Sequence, residues 1–254
     1  MNKVADAHAH LVELIDLDAV LERAAQAGVF AIVSMGVGLS SNTRNLKIAK
    51  EYNDDSVKIF PALGLHPWGL EKKDIRPTIE QIRQNIREIA GIGEIGLDYW
   101  RRDGSIIDHS KIEIQHLAFK EAIKLAKEFD KPISVHSRGA WEDCFDIVVE
   151  QNVKKVIFHW FSGPLEIVKK IIDHGYYVST TPALEYSKEH RSAILNTPLE
   201  HLLIETDSPV KYGDLKSEPK DVIISLREVS KLKNIGIDIV AEKTTRNFFS
   251  IYKM

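Results

Sequence analysis

His8 and His10 stand two residues apart at the end of a short apolar run, Val4 to His8. In an extended strand alternate side chains share a face, so both imidazoles can meet one ion. Four more metal-capable residues close later apolar runs. They are Glu94 in Gly91 to Asp98, His136 after Pro132, His159 after Lys155, and Asp207 in Ile204 to Pro209. His66 follows directly on another run, Val57 to Leu65. Imidazole and carboxylate donors suit Zn²⁺, Mn²⁺ and related ions. One such ion lowers the pKa of a bound water, and two ions about 3.5–4 Å apart stabilise both the attacking and the leaving oxygen of a displacement. A bridging carboxylate such as Glu94 would fix that spacing. The chemistry permitted is hydrolysis by a metal-activated water.

Any one strand-end histidine reads most simply as a satisfied hydrogen-bonding residue. Six metal-capable residues on five strand ends, all on the same side, point instead to a site. His109, His116, His174, His190 and His201 fall on helices or before strands and read as structural or solvated. Glu13, Asp16, Asp18, Asp98 and Glu205 read as caps or as partners of the ligands rather than as ligands.

The elements that must position this set alternate from end to end. Apolar runs at Val4 to His8, Val29 to Met35, Val57 to Leu65, Ile92 to Leu97, Pro132 to His136, Lys155 to His159, Tyr176 to Thr180 and His201 to Thr206 predict eight strands. Between them lie helix-period segments: Asp16 to Ala27, Ser41 to Tyr52, Pro77 to Ala90, Ser110 to Phe129, Trp141 to Gln151, Pro164 to His174 and Ser187 to Leu195. Two further helices fill Pro219 to the end. Crossover helices make the sheet parallel, and eight such units predict an α/β fold, a single TIM-type (β/α)8 barrel domain over residues 1–254. In such a barrel the strand ends gather at one mouth, where barrel enzymes keep their sites.

Composition narrows the setting. The formal charge of −3 excludes a broadly basic nucleic-acid coat but leaves room for a local positive cleft, to which bound metal ions would contribute. The single cysteine, Cys144, cannot form an internal disulfide and suits a reducing compartment. The first residues hold no secretory apolar segment, and the longest apolar stretch, Gly28 to Gly38, is far short of the roughly 20 residues of a membrane span. A cytoplasmic protein with no membrane association is expected, and no stable protein partner can be inferred.

At these residues the sequence resembles the TatD family of metal-dependent hydrolases. Asp6 to His10 is similar to its D-x-H-x-H opening, Gly64 to Pro67 to G-x-H-P, and Gly93 to Tyr99 to G-E-I-G-L-D-Y. Pro132 to Arg138, His159 to Gly163 and Glu205 to Pro209 resemble P-V-x-I-H-x-R, H-C-F-S-G and E-T-D-x-P, and Thr244 to Phe248 loosely resembles the family's ending. The resemblance implies one metal on His8, His10 and Asp207 and a second on His136 and His159, with Glu94 bridging. It further implies a deoxyribonuclease that needs two divalent ions (Mg²⁺, Mn²⁺ or Zn²⁺). His66 and Arg138 would touch a substrate phosphate, and Asp207 would take a proton from the attacking water. Arginine suits phosphate because its planar fork donates two hydrogen bonds at once.

The departures fall around the substrate. Trp68 stands where many members have a second His, Gly139 where Asp often follows the Arg, and Trp160 where Cys is usual. After Pro209 the usual basic segment is reduced to Lys216 to Pro219. Trp68, Tyr99, Trp100 and Trp160 read either as a stacking surface for bases or as rim packing. Three functions are therefore weighed: a nuclease trimming DNA, or another phosphodiester, from a 3′ end; an amide, ester or lactone hydrolase; and a non-catalytic metal-binding protein. The complete ligand set argues against the last, and Arg138 with His66 favours a phosphate over an amide.

Overall fold

The computed structural model describes residues 3–52, 56–100 and 104–252. Eight parallel strands run in sequence order: β1 (Val4–Ala9), β2 (Val29–Met35), β3 (Lys58–Leu65), β4 (Gly91–Gly96), β5 (Ile133–His136), β6 (Val156–Phe158), β7 (Tyr177–Thr180) and β8 (Leu202–Ile204). Beyond β8 the chain turns back onto β1. Ala9 bridges Ser208, and the amides of Asp207 and His10 donate to the carbonyls of His8 (2.9 Å) and Ser208 (2.7 Å). The buried Asp6 carboxylate adds to this closure by accepting from the Thr206 amide (2.9 Å) and hydroxyl (2.6 Å). The expected TIM-type barrel is present.

The period-2 pattern explains why β1 serves both core and site. Ala5 and Ala7 join the apolar cluster that holds Phe248, Ile251 and Tyr252, while Asp6 and His8 alternate with them as buried polar residues. Seven helices alternate with the strands: α1 (Leu17–Gln26), α2 (Leu39–Glu51), α3 (Lys72–Gln84), α4 (His109–Glu128), α5 (Trp141–Glu150), α6 (Leu165–Asp173) and α7 (Lys188–Leu195). Then α8 (Val222–Lys233) and α9 (Ile237–Tyr252) complete the layer.

The largest departure from the sequence expectation is α3, expected over Pro77 to Ala90. The helix begins five residues earlier, because the Glu71 amide donates to Asp74 Oδ2 (3.0 Å) and fixes the first turn. Pro77 then lies inside the helix, and the chain leaves helical geometry after Gln84. A short antiparallel hairpin, β9 (Lys211–Tyr212) with β10 (Leu215–Lys216), was not anticipated and lies between β8 and α8.

Candidate metal centre

Every residue of the expected set reaches the C-terminal mouth. His8 lies in β1, His10 just beyond it, Glu94 within β4 and His136 at the end of β5. His66, His159 and Asp207 follow β3, β6 and β8, and Arg138 lies two residues past β5. Close strand approach makes room for Glu94. A Cβ on Gly64 of β3 would lie 2.3 Å from the Glu94 amide, so only glycine fits there. Gly96, at φ +140°, would place a Cβ 2.0 Å from the His136 carbonyl oxygen, which ties β4 to β5 in the same way.

The two oxygens of Glu94 face two different donor sets. Glu94 Oε2 is 3.4 Å from His8 Nε2 and 3.4 Å from His10 Nε2. His8 Nε2 is 3.3 Å from His10 Nε2 and 3.4 Å from Asp207 Oδ1, and His10 Nε2 is 3.2 Å from that same oxygen. Edges of this length match a tetrahedron whose centre is about 2.0 Å from each corner, the length of a Zn–N or Zn–O bond. On the other side, Glu94 Oε1 is 2.6 Å from His136 Nδ1, 2.7 Å from His159 Nε2 and 3.2 Å from His66 Nε2. The first of these is a hydrogen bond and the second an ion-pair contact of similar length, and a cation there would have to part both.

The donor set fits divalent cations. Asp207 Oδ1, His10 Nδ1 and His159 Nδ1 are buried polar atoms with no hydrogen-bond partner among the described residues. His8, His10 and Asp207 form one group with converging donor atoms, and His66, Glu94 and His136 form another. Burial would raise the Glu94 carboxyl, but the surrounding imidazoles, led by His66 and His159, hold it well below the usual carboxylate range. Asp207 is likewise lowered: burial opposes, and His10 and His8 prevail. Burial lowers His8 and His66, whereas at His10 it is outweighed by Asp207 and Glu94, which push the imidazole up to about 10. At His136 and His159 burial is again outweighed, by Asp98 with Glu94 and by Glu94 with Glu205, and both are raised. Buried carboxylates thus draw positive charge into the mouth, the field a metal ion would answer.

Around this centre lies a cleft of about 720 Å³, lined among others by Trp68, Arg138, Trp160 and Tyr186. Arg138 Nε donates to both oxygens of Asp98 (3.1 and 2.9 Å), and its Nη2 donates to the Trp100 carbonyl (2.9 Å). Glu205 Oε1 accepts from the Trp160 amide (2.8 Å) and lies 3.5 Å from His159 Nδ1. Asp207 (φ +50°) and Trp160 (φ +40°) hold left-handed backbone conformations, strain of the kind found where surrounding contacts fix a functional geometry.

Two placements are finer than the sequence reading. His66, expected on the substrate, stands within hydrogen-bond distance of Glu94 inside the donor cluster. Asp98 is a shared acceptor for His136 Nε2 (2.7 Å), Trp68 Nε1 (2.6 Å), Arg138 and the Trp100 amide. From the sequence Asp98 reads as a cap or a partner of the ligands, and the structure gives His136 as that partner.

The barrel and the donor set at its mouth define a metal-dependent hydrolase. Residues 5–253 match the family described as TatD related DNase. The chain belongs to that family. It is similar to an uncharacterized metal-dependent hydrolase of Methanocaldococcus jannaschii, 33% identical over 258 residues that cover 99% of this chain and 97% of that protein. It is also similar to the human deoxyribonuclease TATDN3, 29% identical, covering 98% of this chain and 94% of that protein. Among solved structures, YJJV, a TatD homolog from Escherichia coli k12, superposes with a TM-score of 0.88 at 27% identity, covering 99% of this chain and 98% of that one.

Proposed function

We propose that the chain hydrolyses phosphodiester bonds of DNA, trimming a strand from an exposed 3′ end, with two divalent ions (Mg²⁺, Mn²⁺ or Zn²⁺). His8, His10 and Asp207 would hold one ion, His136 and His159 the other, and Glu94 would be shared between them. The observation that carries this reading is the division of Glu94, with Oε2 facing His8 and His10 and Oε1 facing His136 and His159. When bound, the ions supply an activated water and stabilise the attacking and leaving oxygens.

The chain's own groups do the rest. Asp207, ionised in its histidine surroundings, accepts the proton of the attacking water. Arg138, aligned by Asp98 at the cleft wall, binds a phosphate oxygen with the outer part of its fork, and His66 lies across the same cleft. We read residues 1–254 as one catalytic domain acting in the cytoplasm, in keeping with the single, buried thiol of Cys144. No helix among the described residues is long and apolar enough to cross a membrane.

The test offers purified protein a short single strand, a neutral ester and an amide, each with Mg²⁺, Mn²⁺ or Zn²⁺, at one salt concentration because phosphate contacts are screened. Metal-dependent cleavage of the strand is expected. Arg138→Ala should raise KM for the strand about 10- to 100-fold, the worth of a charge-assisted hydrogen bond, and spare the ester. Equal losses on both substrates, or hydrolysis of the ester or amide alone, would transfer the reading to an ester or amide hydrolase.

A further inference from the structure

We propose that Trp68 and Trp100 form a subsite for a nucleobase of the bound strand, beside the phosphate held at Arg138. The proposal rests on the nuclease reading and adds to it the part of the substrate that is not phosphate. Trp68 lines the main cleft and also a side cavity of about 280 Å³, which it shares with Leu70, Trp100, Ile107 and Lys111. Both indoles are large apolar groups left 46% and 41% exposed. Neither is loosely placed.

Trp68 Nε1 donates to Asp98 (2.6 Å), its amide donates to His66 Nδ1 (3.0 Å), and the Arg138 guanidinium lies 5.2 Å from its ring centroid. The Trp100 amide donates to Asp98 Oδ1 (2.9 Å), and its carbonyl accepts from Arg138 (2.9 Å). The Trp100 indole also rests on Gly139, where an added Cβ would lie 1.9 Å from Nε1, at a backbone φ of +70° that itself disfavours a side chain. Trp68, Trp100 and Gly139 are therefore one packed unit. Two of its members, Trp68 and Gly139, are positions where the chain departs from the usual family pattern.

The Trp100 indole is held by its backbone contacts to Asp98 and Arg138 and is 41% exposed at the cavity wall. With Trp68 beside it, it presents a π face for stacking at little further entropic loss. The cation that would bind phosphate touches one of these rings, so phosphate and base sites lie within the span of one nucleotide. Lys111 on the cavity wall adds charge of the right sign for a polyanion. Stacking of this kind tolerates any base, since every base has a π face.

The test uses two single strands that differ only in whether the nucleotides flanking the cleaved bond carry their bases or are abasic. The wild-type protein should favour the base-bearing strand in kcat/KM by about 5- to 150-fold, the range of one stacked base. Trp100→Ala should close that gap, and Trp100→Phe, which keeps a ring, should restore most of it. Equal rates on the two strands in the wild type would overturn the subsite, as would Trp100→Ala slowing both strands alike with the gap intact. Hydrolysis of neither strand would overturn the nuclease reading beneath it, a result distinct from cleavage without base preference.

Discussion

Replacing Asp98 by Asn tests whether the carboxylate behind the site positions it. Asp98 is fully buried at its side chain and receives His136 Nε2 at 2.7 Å, Trp68 Nε1 at 2.6 Å, Arg138 Nε at 2.9 Å and the Trp100 amide at 2.9 Å. An asparagine that keeps its oxygen toward His136 and Trp68 turns its NH₂ toward the Trp100 amide and Arg138. One hydrogen bond is lost outright, at about 1 kcal/mol, and the bond to His136 falls from a charge-assisted to a neutral one, roughly 1 kcal/mol more. The Arg138 pair adds less, because that guanidinium is 43% exposed and screened. The sum is on the order of 2–3 kcal/mol of stability. The functional consequence is larger. His136 keeps only a weaker, neutral acceptor for the ring orientation that leaves Nδ1 facing Glu94, and weakening such an orienting partner should lower metal affinity by about 10- to 100-fold. Calorimetric titration of Mn²⁺ into demetallated protein, with urea denaturation in parallel, separates the two effects. Metal affinity within about twofold of wild type, whatever the stability, would refute the positioning role.

Three further outcomes follow from the same geometry. Glu94→Gln should lower kcat by about 10³-fold or more, because both donor sets lose the charge they share; wild-type turnover in the variant would refute the bridging role. Metal titration should resolve two events, the tighter at His8, His10 and Asp207, whose donors already have tetrahedral spacing. The second must part Glu94 from its hydrogen bond to His136 and its ion-pair contact with His159 and should be about 10- to 100-fold weaker, so two equal sites in calorimetry would contradict this reading. Burial pushes His190 down to about 4, and its ring is bonded as a neutral donor to the Phe161 carbonyl and acceptor from Thr180. Its contribution is complete above pH about 6.5 and declines as pH falls from there toward 4, on the order of 3 kcal/mol in all; urea midpoints of wild type and His190→Gln across that window should converge on acidification.

How far the site could be read from sequence depended on which part of it is set by strand geometry. His8, His10, Glu94, His136, His159 and Asp207 all lie in or within three residues of parallel strands, and a closed barrel leaves such positions one place to meet. What escaped is the angular relation of side chains on different strands. Nothing in the spacing of Glu94, His66 and Asp98 says that His66 faces Glu94 or that Asp98 turns to His136, because both depend on how β3, β4 and β5 pack at Gly64 and Gly96. One helix start, that of α3, departs for a local reason. The apolar period places its start at Pro77, whereas the hydrogen bond from the Glu71 amide to Asp74 sets it at Lys72.

The division of Glu94 also accounts for the electrostatics of the mouth. Glu94 and Asp207 are buried and ionised, and positive charge must stand near them. Protons on His10, His136 and His159 meet that need in the ion-free protein, which is why all three imidazoles are raised. On one side His8 and His10 stand 3.4 Å from Oε2, a looser contact than those on the other side. On the other side His136 and His159 lie against Oε1, so a cation bound there as proposed would displace protons together with the His136 hydrogen bond and the His159 contact. Under the proposed two-ion reading, binding of divalent ions would release protons, and on the His136 side it would also part the ring from Oε1.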